Sequence, residues 1–381
     1  MKKRWLLLLL MGSTFLAAAC GISPGEEADQ GNAAQNEETN SADGEQQDIV
    51  ESQVNDEYYR PVITEGAYQP SQSRGITLRL NSNVNLESFE TGLMRLSQKY
   101  FPIEDHFFQE GQFLPSGTVT HWLQRESENY PEGLNPEDNG KVEEDERNPI
   151  YLQTLLEQDY YVQTDEGLEL AGISIGLGMN KIDYYRKEQF GSTFESEISR
   201  KELLEQGQRM ADEIVSRMRS MEEIPDVPIV VGIFEQSPSD DLAGGVYIAE
   251  SSAPSGADSV NGWTQLNHRK AVFPLAGTES NEGNSFANFK SEVESFFPNL
   301  SGVVGIASYV DDQLIDMSIN ITTQFYGEGE MIAFTQFVND AAETYLPMNI
   351  PIEITIDSID GVEAFLFRET GSNEFRGHIF N

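Results

Sequence analysis

The fold is decided by residues 284–325, which begin NSFANFKSEVESFFP and continue NLSGVVGIASYVDDQLIDMSINITTQF. The first part favours a helix that ends at Pro298, because proline cannot continue the helical hydrogen-bond pattern. The second part is an apolar run, an acidic turn at Asp311-Asp312-Gln313 and an alternating run, which predicts a β-hairpin. The segment therefore predicts one helix followed by one hairpin.

The same helix–hairpin unit recurs along the chain. Residues 329–347 predict a helix that ends at Pro347, and the hairpin after it turns at Asp360-Gly361, where glycine accepts a positive φ. We interpret the whole as an α+β fold, in which repeated helix–hairpin units form antiparallel sheets with helices on one face. The remaining predicted parts are a strand over 74–83, helices over 85–101, 149–159 and 200–225, and strand pairs over 160–175 and 227–250.

The N-terminus has the layout of a secretory signal over residues 1–19. MKKRW precedes LLLLLMGSTFLAAACG (6–21), and this apolar run is shorter than the roughly 20 residues that a membrane-spanning helix needs. The single cysteine, Cys20, follows three alanines, which resembles a bacterial lipobox. We expect cleavage between Ala19 and Cys20 and attachment of a lipid to the Cys20 thiol. An ordinary cleaved signal with an incidental cysteine is the alternative.

The chain is strongly acidic, with a net charge of −40. Residues 20–58 carry eleven acidic side chains and no Lys or Arg, which predicts a disordered tether. Residues 59–381, the predicted extracellular body, contain 21 basic and 53 acidic residues, with a candidate subdivision near 251–285. This charge argues against a nucleic-acid partner and suits a cationic partner. Adaptation to a saline or alkaline medium explains the charge equally well.

The sequence contains no recognisable catalytic or metal-binding motif. Its four histidines lack the spacing of metal ligands, and no G-x-S-x-G nucleophile motif occurs. GLGMNK (176–181) fits glycines in a buried strand better than a phosphate loop. We therefore expect no catalytic residue, no cofactor and a non-enzymatic protein. A cell-envelope hydrolase and a ligand-binding lipoprotein of unknown substrate are the alternatives.

Residues 121–136, HWLQRESENYPEGLNP, group aromatic side chains with a cation. His121, Trp122, Arg125 and Tyr130 are therefore candidates for lining a ligand groove. Half-buried packing is the alternative interpretation of these four residues.

Residues 135–146, NPEDNGKVEEDE, have the spacing of a calcium-binding loop. Asn135, Glu137, Asn139 and Glu146 would occupy ligand positions, but the first and third positions lack the preferred aspartate. A solvated acidic loop fits the segment better, and we predict no metal.

Three blocks of the body carry a resemblance to a known family. The lipobox, the acidic tether, YYRPVITEGAYQPSQSRG (58–75), HWLQRESENYPEGLNP (121–136) and NPIYLQTLLEQDYY (148–161) resemble the CamS family of sex-pheromone-precursor lipoproteins of Gram-positive bacteria. The resemblance implies a lipoprotein on the outer face of the cytoplasmic membrane, held there by its N-terminal lipid. It also implies that the cleaved signal, here roughly residues 13–19, yields a short apolar mating peptide. The partner of the body stays unknown.

Overall fold

The computed structural model describes residues 47–53, 58–77, 80–274, 280–296, 302–324 and 327–380. The predicted signal, with Ala19 and Cys20, and most of the predicted tether lie outside the described residues. Within this part, the chain forms two large β-sheets, one two-stranded sheet and six helices.

The described helices and strands are numbered here in chain order. The helices are α1 Arg74–Thr77, α2 Asn83–Ser97, α3 Ser116–Trp122, α4 Arg200–Arg219, α5 Asn281–Phe296 and α6 Glu328–Tyr345. The strands are β1 Gln47–Ile49, β2 Arg60–Thr64, β3 Phe107–Glu110, β4 Leu152–Thr164, β5 Gly167–Asn180, β6 Ile182–Arg186, β7 Thr193–Glu197, β8 Ile229–Gln236, β9 Val246–Ala253, β10 Asn261–Gln265, β11 His268–Phe273, β12 Gly302–Val310, β13 Gln313–Thr322, β14 Ile352–Ser358, β15 Gly361–Arg368 and β16 Arg376–Ile379.

The larger sheet has the order β1-β2-β3-β4-β5-β8-β9-β10, and β6 pairs with β7 in the small separate sheet. Its centre is the long β4–β5 hairpin, and β5 pairs with β8 in parallel. A parallel pair needs a crossover connection, and α4 lies in the connection between β5 and β8.

Helices pack on both faces of the larger sheet. One face of β5 carries apolar side chains, including Ile175 and Leu177, which share a core with α4. The opposite face carries glycines, and a Cβ atom at Gly176 would lie 2.9 Å from the Phe89 ring of α2. The missing side chains therefore let α2 approach the sheet closely.

Both helices begin at a capping serine. The Ser82 hydroxyl accepts a hydrogen bond from the Asn85 backbone N–H at the start of α2. Ser199 does the same for Glu202 at the start of α4. Such caps satisfy an amide that would otherwise lack a partner in the first helical turn.

The smaller sheet has the order β11-β12-β13-β14-β15-β16. Helices α5 and α6 contribute to a single core with the buried side chains of its strands. The predicted hairpins β12–β13 and β14–β15 are confirmed, and Asp311, Asp312 and Gly361 adopt positive φ at their turns. The α+β class is confirmed as well, but the larger sheet carries helices on both faces and not on one as predicted. The two hairpins of the smaller sheet join through a parallel β13–β14 pair that α6 connects.

Three local predictions are wrong. Residues 74–83 were predicted as a strand, but Arg74–Thr77 is a short helix and Asn83 begins α2. Residues 149–159 were predicted as a helix, but they enter β4, whose residues 154–161 are all buried. A strand buried on both faces lacks the alternation of a half-exposed strand, so its apolar pattern resembles that of a helix. Gln47–Ile49, inside the predicted tether, pairs with β2 as a strand.

Candidate ligand-binding cleft

A cavity lies where α2 and β9 of the larger sheet meet β11 and β12 of the smaller one. Its volume is about 410 Å³. Residues that are distant in sequence come together here, because the edge strand β11 follows β10 directly and its Lys270 contacts Ser88 of α2. The cavity is open to solvent and is called the cleft below.

The cleft concentrates positive charge in an acidic protein. Arg95 lies in the last turn of α2, Lys99 lies in the turn that follows this helix, and Arg269 and Lys270 come from β11. Glu250 on β9 is the one carboxylate among the described residues that line the cavity. Four cations against one anion reverse the sign of the chain as a whole, whose net charge is −40.

Three of these cations form ion pairs. The Lys99 ammonium lies 2.5 Å from the buried carboxylate of Glu250. Arg95 lies 3.9 Å from Asp316 and Arg269 lies 3.2 Å from Asp312. The side chains of Lys99, Arg95 and Arg269 are about half exposed or more, so water weakens these pairs.

Lys270 differs from the other three cations. Its ammonium donates to the Ser88 hydroxyl at 2.6 Å and to the Ala243 carbonyl at 3.0 Å, and it forms no ion pair in the described part of the chain. Burial lowers the pKa of this amine, although the charges of Asp316 and Glu87 act in the opposite direction. Burial likewise lowers the pKa of His268, two residues earlier on β11.

The walls between these cations are mainly apolar. Leu96, Val246, Leu266, Val310 and Ile315 line the cavity. Two tyrosines complete the surface. The buried Tyr247 donates its hydroxyl to the Phe89 carbonyl at 2.9 Å, and the Tyr309 ring lies under the Arg269 guanidinium at 3.6 Å. The cleft can therefore hold a molecule that combines an apolar body with negative charge.

The predicted groove residues at 121–130 do not line the cleft. The ring centroids of His121 and Tyr130 lie 5.5 Å apart. Trp122 is 2% exposed and packs in the core of the larger sheet. Arg125 donates to the carbonyls of Pro136 and Asn148, both at 2.8 Å. The structure thus brings His121 and Tyr130 together and assigns Trp122 to packing.

The predicted calcium loop is organised by its own amides. Asn135 is buried: its Nδ2 donates to the Leu123 and Leu152 carbonyls, and its Oδ1 accepts from the Tyr151 and Leu152 amides. Asn139 donates to the Glu146 carbonyl at 2.7 Å, and Glu137 is exposed.

Cations also surround this loop. A second cavity of about 270 Å³ is lined by Arg125, Lys141, Arg147 and Arg186 beside the single carboxylate of Asp138. Repulsion from four cations disfavours a Ca²⁺ ion at this place. Among the described residues, no group of three His, Cys, Asp or Glu side chains is arranged to hold a metal ion.

A pair of buried acids lies beneath the β3–α3 loop. Glu157 accepts the Phe113 and Leu114 amides at 3.0 and 2.9 Å, and Asp159 accepts the Gln112 amide at 2.8 Å. Burial raises the pKa of Glu157 to about 7 and raises that of Asp159 well above its usual range. The pair is enclosed, so its role is to hold the loop against β4.

The cleft residues were not predicted as a site from the sequence. Arg95 and Lys99 stand four residues apart within the predicted helix 85–101, which places them on one helical face. His268 and Lys270 lie within residues 251–285, the candidate subdivision of the body. The spacing of Arg95 and Lys99 was the one available signal, and it does not reveal the facing strand.

The fold and the cleft define an α+β protein with two helix-covered sheets and a cation-lined cavity at the junction of the sheets. A family model described as the CamS sex pheromone cAM373 precursor matches residues 68–374. The chain therefore belongs to the CamS family, as the resemblance of its sequence blocks predicted. Among curated proteins, the comparison finds no match.

Solved structures of sex pheromone precursors are similar to this chain. A sex pheromone precursor from Lactobacillus salivarius subsp. salivarius UCC118 is 40% identical, with a TM-score of 0.83 over 88% of this chain and 99% of its own. The C-terminal domain of the sex pheromone staph-cAM373 precursor from Staphylococcus aureus is 28% identical, with a TM-score of 0.68 over 80% of this chain and 98% of its own.

No helix in the described part of the chain is long and apolar enough to cross a membrane.

Proposed function

We propose that this chain is a lipoprotein anchored on the outer face of the cytoplasmic membrane, with an extracellular body that acts as a binding module. The position of Cys20, directly after Ala17, Ala18 and Ala19, supports the anchor. Family membership supports a precursor role. The cleft supports binding, because it combines apolar walls with an excess of positive charge.

The anchor depends on the Cys20 thiol, which would carry the lipid. We expect wild-type chain to incorporate an alkyne fatty acid during growth and to partition into membranes. A Cys20→Ala chain should do neither, whereas a Ser13→Ala chain should behave as wild type. Full membrane partitioning of Cys20→Ala, with no label in wild type, would contradict lipid anchoring.

A second role concerns the cleaved leader. The family description as a pheromone precursor favours release of a short apolar peptide, for which STFLAAA, residues 13–19, is the corresponding segment. A synthetic peptide of this sequence should induce clumping or conjugation in a responsive recipient. A reversed-sequence peptide serves as the control. No response across recipients with several plasmids would remove this role.

The binding role of the body does not require catalysis. We assign no catalytic residue: the one carboxylate of the cleft, Glu250, is held by Lys99, and the Lys270 ammonium acts as a hydrogen-bond donor to the Ser88 hydroxyl. The purified body should release no product from peptidoglycan or peptide substrates. Measurable turnover that disappears in a Glu250→Gln variant would establish the hydrolase alternative instead.

A further inference from the structure

Lys270 offers the cleft an ammonium whose N–H donors are only partly used by the protein. A lysine ammonium has three N–H donors. Two of them are used by the Ser88 hydroxyl and the Ala243 carbonyl, and no carboxylate of the described residues forms an ion pair with it. The carboxylates of Asp316, Glu87 and Asp241 act on this ammonium without pairing with it, so a ligand anion in direct contact would offset more of the cost of its burial. Lys270 can therefore bind an anionic group of a ligand.

The other cations of the cleft are less suited to this task. Arg95, Lys99 and Arg269 have side chains that are 68%, 59% and 46% exposed, and each already faces a carboxylate. The cleft thus presents one available ammonium, not a cluster of guanidinium groups. A single ammonium matches a single carboxylate, whereas phosphate groups are typically held by several donors in a fixed geometry.

The apolar walls define the remainder of the ligand. Leu96 from α2, Leu266 before β11 and Val310 from β12 contribute aliphatic surface around the cavity. The volume of about 410 Å³ lies at the small end of the roughly 300–1,000 Å³ that small-molecule sites occupy. The cavity suits a short chain.

We propose that the cleft binds an apolar chain that ends in a carboxylate, with Lys270 holding the carboxylate and the aliphatic walls holding the chain. This chemistry is shared by a short apolar peptide with a free C-terminus and by a medium-chain fatty acid. The inference rests on the proposed binding role of the body and is independent of the anchor and of pheromone activity.

The test compares four probes by isothermal titration calorimetry, using residues 20–381 with Cys20→Ala so that no lipid competes. The probes are the peptide STFLAAA with a free C-terminus, the same peptide with a C-terminal amide, decanoate and inorganic phosphate. We expect the free-acid peptide or decanoate to bind, the amide to bind at least about tenfold more weakly, and phosphate not to bind. Whichever of the free-acid peptide and decanoate binds more tightly identifies the source of the ligand.

Variants locate the binding site. Lys270→Met should weaken carboxylate binding at least about tenfold, and the exposed Lys201→Met on α4 should leave it unchanged. Ile315→Asp, at a half-exposed position of the cleft wall, should also weaken binding through repulsion and keeps the inference testable if Lys270→Met fails to fold. Equal binding of acid and amide would overturn the carboxylate assignment while leaving a binding role for the body. Absence of binding by every probe would overturn the inference.

Discussion

The buried acid pair allows the pH dependence of stability to be predicted with its sign. Glu157 and Asp159 are both fully buried and lie two residues apart on β4. Both Glu157 oxygens accept backbone amides, whereas Asp159 Oδ1 receives no hydrogen bond within the described structure. A proton on this oxygen lets Asp159 donate to Glu157. We therefore expect the native pair to keep one proton at neutral pH.

The magnitude follows from the raised pKa. In the unfolded chain the Glu157 carboxyl group ionises near its ordinary pKa of 4.5, and burial raises that pKa to about 7 in the fold. Between these values the native state binds more protons than the unfolded state, so the free energy of unfolding falls as pH rises. At about 1.4 kcal/mol for each tenfold change in proton affinity, the loss is about 3 kcal/mol by pH 8. This contribution is fully present below about pH 4.5.

Asp159→Asn tests this assignment of the proton. The asparagine carbonyl can still accept the Gln112 amide, and its NH₂ group can donate to Glu157 without a titrating proton. We expect the variant to be more stable than wild type at pH 8 and to lose less free energy of unfolding between pH 5 and pH 8, because the Asp159 carboxyl, whose pKa burial raises, no longer titrates. Urea unfolding at both pH values, followed by tryptophan fluorescence, measures the difference.

Two further variants sharpen this test. Glu157→Gln places an NH₂ group against a backbone N–H of Phe113 or Leu114, which should cost about 1–3 kcal/mol at either pH. Asp165→Asn, at the exposed turn of the same hairpin, removes one negative charge without touching the pair. If Asp159→Asn is less stable than wild type at pH 8, or changes the pH dependence no more than Asp165→Asn, the shared-proton reasoning is refuted.

Three other substitutions probe the packing around the two cavities by urea unfolding. Arg147→Met should cost about 3–5 kcal/mol, because it leaves Asp183, 2.6 Å away, buried without its partner; a cost below 1 kcal/mol would contradict the buried ion pair. Tyr247→Phe should cost about 1 kcal/mol through loss of its hydrogen bond to the Phe89 carbonyl, and an unchanged urea unfolding midpoint would show that this bond does not stabilise the fold. Gly176→Ala should cost about 1–3 kcal/mol, since its Cβ would lie 2.8 Å from the Tyr247 hydroxyl. A stabilised variant would contradict this close packing and show that α2 can move away from the sheet.

Local signals were sufficient for much of the fold. The helix before Pro298 and the hairpin that turns at Asp311-Asp312 are each specified by residues close together in the sequence, and the structure contains both. The same holds for the hairpin that turns at Gly361. These elements could be predicted because turn chemistry and helix ends act over only a few residues.

The failures arose where tertiary burial overrides local patterns. β4 is buried on both faces along residues 154–161, so its sequence carries no alternation and was interpreted as a helix. Parallel pairing of β5 with β8 and of β13 with β14 depends on crossovers, which no local pattern specifies. The fold class survives these errors because the number and order of the apolar segments were largely right.

The cleft could not be predicted from spacing because its contacts are long-range. Ser88 and Lys270 are separated by 182 residues, and Lys99 and Glu250 by 151. The groove candidates at 121–130 were chosen because aromatic and cationic residues stand side by side in the sequence. Trp122 and Arg125 instead use these groups for packing and for holding backbone carbonyls.

The most direct test of the binding account is a crystal structure of residues 20–381 with Cys20→Ala, crystallised with whichever carboxylate probe binds more tightly. We predict the ligand carboxylate within about 3 Å of the Lys270 ammonium, with its apolar chain against Leu96 and Leu266. A ligand bound at another surface, or one that occupies the cleft with its carboxylate turned away from Lys270, would contradict the account.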